Sequence, residues 1–214
     1  FYPCCVKKVA EEMLSKNLPG FLDPLANVWR VLHTGRYSGK KSDYAITRSE
    51  HINAEEYLSF LENEGFRIRI TQEYLDWKLS AGYFYYTVRH NAEPICKVLV
   101  CSYTVKEGFL RGNILGIKRE TADKTELSTA FALLLKELFR QYDVLSVWES
   151  GDVMVNEVLR RVGFIKNFSA KDGSPFIVKP LSNDQAVREH FLRHGAWHPS
   201  FIEADYVLDQ YIKE

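Results

Sequence analysis

Three predicted β-strands lie close together in the middle of the chain, at residues 83–89, 95–105 and 109–117. They are rich in aromatic and β-branched residues, which favour strands. Only residues 90–94 and 106–108 separate them. Strands joined by so few residues pair antiparallel, because a parallel pair requires a much longer crossover. The sequence therefore predicts a three-stranded antiparallel meander at the centre of the fold.

The helix predicted after this meander has the clearest periodicity in the chain. Its apolar residues recur at every third and fourth position and line one helix face: Leu127, Ala130, Phe131, Leu134, Leu135, Leu138 and Phe139. The next segment, SVWESGDVMVNEVLRRVGFIK, runs from Ser146 to Lys166. It predicts the end of a buried strand (144–148), a turn, an amphipathic helix (153–162) and a Gly-Phe exit. Together these elements indicate an α/β protein.

Before the meander, the sequence predicts a strand at residues 44–47, a helix over 54–62 capped by Asn53, and a helix over 71–79. Outside these elements it predicts helices at 6–14, 24–33 and 186–193 and strands at 164–168 and 175–178. The helix over 24–33 is expected to bury a stripe that contains Leu25, Val28, Trp29 and Leu32.

The segment at residues 35–42 is polar, contains glycine, and is the best candidate for a domain boundary. We therefore predict a helical extension at 1–42, a main domain at 43–182 and a helical and aromatic appendage at 183–214.

The charge balance and the apolar stretches exclude several classes of protein. The chain has 28 Lys and Arg against 28 Asp and Glu. This balance argues against a general nucleic-acid binder, which requires surplus cations. The longest apolar stretch is far shorter than the roughly 20 residues that span a bilayer, and we find no leader pattern. Cys96 and Cys101 are an odd number of residues apart on one predicted strand, so they are expected on opposite faces and unpaired. We expect a cytoplasmic protein with reduced cysteines.

The order of elements over residues 43–181 resembles the GNAT family of N-acyltransferases: strand, two helices, meander, long helix, strand, helix, two strands. In that family the helix after the fifth strand ends in a Gly-Phe pair, as Gly163-Phe164 does here. The resemblance implies a GNAT-like α/β fold with a mixed, mainly antiparallel sheet flanked by helices. It also implies acetyl-CoA as co-substrate, no metal, and a small-molecule or peptide amine as acceptor.

The resemblance places the CoA-binding residues at the start of the long helix, in the segment KRETADK from Lys118 to Lys124. The residues it implies for CoA are Ile117, Lys118, Arg119, Ala122 and Lys124. The family's signature has glycines where Ala122 and Lys124 stand here. Asp123 and Glu126 have the spacing of a capping box, which would put two carboxylates where a pyrophosphate binds. The segment therefore departs from the family's pattern.

The resemblance also identifies positions for catalysis. Leu159 occupies the place of the family's frequent Tyr, the acid that reprotonates the thiolate, and Asp152 that of its frequent Asn. Leucine cannot transfer a proton. Glu149, at the end of the fifth strand, is the candidate base that deprotonates the acceptor amine. The alternative is that Glu149 belongs to a turn and capping sequence that ends at Asp152.

Two functions are therefore expected. The first is an acyltransferase, and the second is a non-catalytic GNAT-like module that binds a ligand or a partner. A narrower similarity supports the second: Trp77, Trp197 and the segment 203–206 resemble GNAT-like proteins of bacterial envelope and polysaccharide loci. Those are similar to peptidoglycan-bridge aminoacyltransferases, which contain two GNAT-like halves. A second half or a homodimer is accordingly a candidate partner, and the helical opening suits a connection from an upstream half.

Two further groups of residues have structural alternatives. His190, His194 and His198 are spaced four apart, as in a helical metal site, but Gly195 interrupts the helix and favours a solvent-facing helix end. The aromatic run at residues 83–86 can line an acceptor pocket or form part of the core, and the core interpretation is favoured.

Overall fold

The computed structural model describes residues 2–3, 23–35, 37, 43–60, 71–79, 82–106, 109–147, 152–165 and 185. Its strands are β1 (Tyr2–Pro3), β2 (Tyr44–Ser49), β3 (Tyr83–His90), β4 (Glu93–Lys106), β5 (Phe109–Arg119) and β6 (Val144–Val147). Its helices are α1 (Asp23–Thr34), α2 (Ala54–Leu58), α3 (Gln72–Lys78), α4 (Lys124–Leu138) and α5 (Val153–Arg161).

The strands form one six-stranded sheet in the order β1-β6-β5-β4-β3-β2. The pairs β2–β3, β3–β4 and β4–β5 are all antiparallel, which confirms the predicted meander. The chain then crosses over through α4, so that β6 pairs parallel to β5. The two-residue strand β1 pairs antiparallel with β6, a pairing that the sequence analysis did not predict. The predicted fold class, a mixed and mainly antiparallel sheet flanked by helices, is confirmed.

The two faces of the sheet bury different clusters. Helices α4 and α5 cover the larger cluster, which contains Val98, Ile114, Leu134 and Val158. Helices α2 and α3 cover the smaller clusters on the opposite face, around Leu99 and Cys101. Alternation along β4 therefore places Cys96 in the first cluster and Cys101 on the other face, as predicted, and both thiols are buried and free.

Two local predictions were wrong in detail. The β3–β4 connection is only a two-residue turn, in which Asn91 and Ala92 have φ of 48° and 71°. Two positive φ angles allow so tight a hairpin, and Pro94 consequently lies within β4. Helix α2 ends at Leu58 rather than at residue 62. Its end tightens because the Ser59 N–H and hydroxyl both donate to the Glu56 carbonyl, at 3.2 and 2.6 Å.

The side of helix α1 that faces the core differs from the side that the sequence predicted. Trp29 packs against the larger cluster and donates from Nε1 to the Gly163 carbonyl at 3.0 Å, while Val28 and Leu32 are 53% and 67% exposed. Gly163 ends α5 with φ of 107°, as expected of a helix-terminating glycine. A Cβ there would lie 2.9 Å from Trp29 Nε1, so the glycine also permits the close approach of α1. This hydrogen bond fixes which side of α1 faces inward.

Several predictions concern residues outside the described ranges. They are the helices at 6–14 and 186–193, the strand at 175–178, the histidines at 190, 194 and 198, and Glu149. Of the strand predicted at 164–168, only Phe164 and Ile165 are described, and they are not in a strand. The three domain boundaries remain predictions.

Candidate functional site

Strand β5 is paired with β6 along only part of its length. The parallel pairing joins residues 111–114 of β5 to residues 144–147 of β6. Beyond Ile114, no described residue pairs with β5 on that side. At the same point the pairing with β4 shifts, because Leu99 lies opposite Gly116 and Val100 opposite Ile114. Leu115 is therefore an extra, bulged residue, and bulges of this kind often lie next to active sites.

The unpaired part of β5 presents backbone groups to this open side. The N–H of Glu120 donates to the Ile95 carbonyl of β4 at 2.8 Å. Backbone direction alternates along a strand, so the N–H groups of Ile117 and Arg119 point away from β4. They are directed to the side on which the described residues supply no strand.

The predicted CoA-binding residues lie together where β5 ends and α4 begins. We call residues 117–124 the β5–α4 segment. Its three basic side chains all have carboxylate partners: Lys118 with Glu120 at 3.2 Å, Arg119 with Asp152, and Lys124 with Glu157. The last two pairs connect the segment to the first turns of α5. Sequence analysis missed both partners, which are 33 residues away along the chain.

The N-terminus of α4 is closed by its own side chains. Asp123 caps the helix as predicted, accepting from the N–H groups of Thr125 and Glu126 at 2.7 and 3.3 Å. Glu126 does not complete the capping box directly. Its carboxylate accepts from the Thr121 hydroxyl at 2.6 Å, and that hydroxyl accepts from the Asp123 N–H at 3.1 Å. Glu126 also lies 2.8 Å from His90 Nδ1. Two carboxylates therefore occupy the helix end, as the sequence indicated.

The carboxylates of α5 are held in their charged form. Asp152 caps α5 by accepting from the N–H groups of Met154 and Val155 at 2.8 and 3.4 Å. Burial tends to raise the pKa of Asp152, but the hydrogen bonds from Arg119 and from these two N–H groups outweigh it and lower the pKa. The hydrogen bond from Lys124 likewise lowers the pKa of Glu157. Both carboxylates are therefore ionised at neutral pH.

A cavity of about 630 Å³ lies on the opposite face, beside α2 and α3. We call it the α2–α3 cavity. Its described lining includes the carboxylates of Glu50 and Asp76 and contains no Lys or Arg. Asp76 accepts from Gln72 Nε2 at 2.8 Å, and Glu50 lies 3.6 Å from Arg48. The lining also includes Leu99 and Tyr83, and the bulged Leu115 packs against the clusters that contain them.

The aromatic run at residues 83–86 belongs to the core and also contributes to the lining of the α2–α3 cavity. Tyr83, Tyr85 and Tyr86 are buried, which agrees with the favoured core interpretation. Tyr83, Phe84 and Tyr85 also line the α2–α3 cavity. Tyr85 donates to Glu56 at 2.5 Å, and burial together with this hydrogen bond raises the pKa of Tyr85. Its phenol therefore remains protonated at neutral pH.

Of the three positions that the resemblance identifies for catalysis, the structure describes Leu159 and Asp152. Leu159 is 5% exposed and belongs to the larger core cluster, so it is a packing residue. Glu149 lies outside the described ranges, and its role remains a prediction. Among the side chains that are described, no group of three His, Cys, Asp or Glu is placed to hold a metal ion. In the same parts of the chain, no helix combines the length and apolarity needed to cross a membrane.

No protein-family model and no curated protein matches the chain. Several solved structures do. An aminoglycoside acetyltransferase from an uncultured soil metagenomic sample, in complex with trehalose, is 9% identical with a TM-score of 0.44 over 66% of this chain and 99% of that one. A predicted acetyltransferase with acetyl-CoA from Clostridium acetobutylicum is 11% identical, with a TM-score of 0.43 over 61% and 96%.

A Trypanosoma brucei acetyltransferase is 13% identical, with a TM-score of 0.44 over 64% of this chain and 100% of that one. The architecture of the chain agrees with the predicted family resemblance in its antiparallel meander and in the order of its described elements. With this strand order, the chain has a GNAT-like α/β fold.

Proposed function

We propose that the protein is an N-acyltransferase that transfers an acyl group, in the simplest case acetyl, from a CoA thioester to an amine. The observation that carries the proposal is the half-paired β5, with its bulge at Leu115 and its unpaired side beyond Ile114. An unpaired strand offers N–H and C=O groups to an extended ligand. The amide-containing pantetheine arm of CoA is such a ligand, and it would lie along residues 115–119.

The β5–α4 segment is the proposed site of the pyrophosphate. Lys118 and Arg119 are the last two residues of β5, and Lys124 is the first residue of α4. Basic side chains and a helix N-terminus both favour phosphate. Glycines are absent here, so the side chains of these residues, rather than a close backbone loop, would provide the contacts. To do so they must leave their present carboxylate partners.

The acceptor amine is proposed to bind in the α2–α3 cavity. The carboxylates of Glu50 and Asp76 favour a cationic ligand, and the floor of the cavity lies next to the bulged Leu115. The amine nitrogen would attack the thioester carbonyl carbon, forming the C–N bond as the C–S bond breaks and the thiolate leaves. Backbone N–H groups beside the bulge would stabilise the oxyanion. Glu149 remains the proposed base for the amine.

Titration with acetyl-CoA tests the proposal. At 100 times its dissociation constant, a bound ligand adds roughly 2.7 kcal/mol to the free energy of unfolding. We expect a thermal shift with acetyl-CoA, weaker binding in Arg119→Ala and Lys124→Ala, and lower turnover with unchanged binding in Glu149→Gln. Absence of any shift at millimolar acetyl-CoA would contradict the proposal.

A second function has its own support. The ion-paired cations and the capped end of α4 favour a GNAT-like module that does not bind CoA and instead contacts a ligand or a second GNAT-like half. Such a module would give no shift with acetyl-CoA and no acyl transfer to any amine. The same titration therefore distinguishes the two functions.

A further inference from the structure

We propose that the ion pairs Arg119–Asp152 and Lys124–Glu157 form an ionic lock that inhibits the enzyme until the acyl donor displaces both carboxylates. The inference rests on the proposed function, because it concerns how the donor reaches the same residues. It assigns Asp152 and Glu157 a role in regulating donor binding rather than in catalysis.

The two ion pairs join the same two parts of the structure. Both cations belong to the β5–α4 segment and both carboxylates belong to α5 or its cap. Asp152 precedes the helix and Glu157 lies in it, so the pairs form two successive links. Helix α5 is the element that follows β6, and the links join it to the end of β5 where the two strands are no longer paired. The lock therefore crosses the side of β5 along which the donor is proposed to bind.

The cations that a pyrophosphate would use are already engaged in this region. The basic side chains of Lys118, Arg119 and Lys124 lie together with five carboxylates, those of Glu120, Asp123, Glu126, Asp152 and Glu157, and Arg160 and Arg161 also act electrostatically on Glu157. A pyrophosphate would therefore find its natural partners paired. Releasing Asp152 and Glu157 from the cations frees one guanidinium and one ammonium group. The donor thus competes with two carboxylates of the protein for the same guanidinium and ammonium groups.

The lock can open reversibly because its pairs are weak. The side chains of the four residues are between 30% and 44% exposed. An exposed ion pair shifts an equilibrium by no more than about fivefold. A multivalent phosphate ligand can exchange for such pairs, whereas a chloride ion or a single carboxylate competes poorly. The expected gain from releasing both cations is therefore about tenfold in donor affinity.

Two substitutions remove the carboxylate charges with little change in shape. Asparagine caps a helix about as well as aspartate, so Asp152→Asn keeps the start of α5. Glutamine has a similar helix propensity to glutamate, so Glu157→Gln keeps the first turns. The matched control is Glu55→Gln with Glu73→Gln, which removes two exposed carboxylates from the helices on the other face.

The test is calorimetric titration of acetyl-CoA into the wild-type chain, the double variant and the control. We expect the double variant to bind about tenfold more tightly than wild type, Glu157→Gln alone about threefold, and the control to bind as wild type does. In 0.5 M NaCl the difference is expected to shrink, because salt screens exposed pairs.

The outcomes separate the lock from the proposed function. If wild type binds acetyl-CoA, and the double variant and Glu157→Gln bind it no more tightly than wild type does, the lock is wrong while the acyltransferase proposal stands. If the control gains affinity as much as the double variant, the effect is one of net charge and the lock is wrong. If neither wild type nor the double variant binds at millimolar acetyl-CoA, the proposed function itself fails.

Discussion

The β5–α4 segment and the α2–α3 cavity use charge in opposite ways. At the segment, Lys118, Arg119 and Lys124 each have a carboxylate of the same protein. Around the cavity, the described lining contains two carboxylates, one histidine and no Lys or Arg, and Arg48 lies 3.6 Å from Glu50. A ligand at the first site must replace existing ion pairs, whereas a cation at the second can approach Asp76, which accepts a hydrogen bond from the neutral Gln72. Donor binding is therefore expected to be regulated by the protein's own charges, and acceptor binding to depend on them directly.

The largest expected difference between the two faces of the sheet is in how far a core substitution lowers the free energy of unfolding. Leu134 of α4 is fully buried in the larger cluster, and Leu134→Ala is expected to lower the free energy of unfolding by about 4 kcal/mol. Leu75 of α3 is equally buried but lines the α2–α3 cavity, where water can reach the space left by the side chain. Leu75→Ala is therefore expected to lower it by about 2 kcal/mol. Unfolding in guanidinium measures both losses of free energy. Equal losses would show that the cavity does not reduce the cost of removing the Leu75 side chain.

Acceptor recognition provides the next contrast. Asp76→Asn removes one of the two carboxylates of the cavity lining without changing its shape. We expect kcat/KM for a cationic amine to fall about tenfold, or about 1.4 kcal/mol, with the KM for acetyl-CoA unchanged. Glu73→Gln, one turn earlier in α3 and exposed, is the control. A loss that appears equally with a neutral acceptor would contradict a charge-based role for Asp76.

The rates at which the two buried cysteines react with a thiol reagent provide a further comparison of the two faces of the sheet. Burial raises the pKa of the Cys96 thiol to about 12. Burial also raises the pKa of Cys101, to about 11, against the opposing effect of a hydrogen bond with Tyr83. Because Tyr83 lines the cavity, we expect Cys101 to react several-fold faster with a thiol reagent at pH 8. The rates are measured in a Cys4→Ser/Cys5→Ser chain, with mass spectrometry to assign each site, and faster labelling of Cys96 would reverse the comparison.

The sequence predicts the architecture better than it predicts the site, for a physical reason. The meander, the stripe of α4 and the caps at Asp123 and Asp152 depend on residues a few positions apart, where periodicity and capping rules apply. The pairs Arg119–Asp152 and Lys124–Glu157 join residues that only the folded crossover brings together. No local rule identifies such partners.

The bulge and the strand β1 escaped prediction for related reasons. Leu115 is bulged because β4 and β5 pair in different registers on either side of it, and register is a property of two strands. The pairing of β1 with β6 involves only two residues, too few for a periodic signal. The charge of the cavity was likewise not predicted, because its carboxylates come from separate parts of the chain: Glu50 directly follows β2, and Asp76 lies in α3.

The smallest expected effect tests whether the ion pairs of the β5–α4 segment stabilise the fold. The ordinary pKa of Asp152 is 3.8, and its folded pKa is lower, so it binds its proton more readily when unfolded. Its contribution to stability is therefore present above about pH 4 and is lost as the pH falls through the folded pKa. Asp152→Asn keeps the cap and is expected to lower the free energy of unfolding by about 0.5 kcal/mol at pH 7.

At pH 3 the difference between wild type and Asp152→Asn is expected to be smaller, because protonation of the aspartate removes the same charge as the substitution. Urea midpoints at pH 7 and pH 3 measure it, and 0.5 M NaCl at pH 7 is the control, since screening should reduce the difference there as well. A difference that is constant with pH would assign the effect of the substitution to the altered cap. The ion pair with Arg119 would then contribute nothing to stability, and it could be displaced by a ligand without loss to the fold.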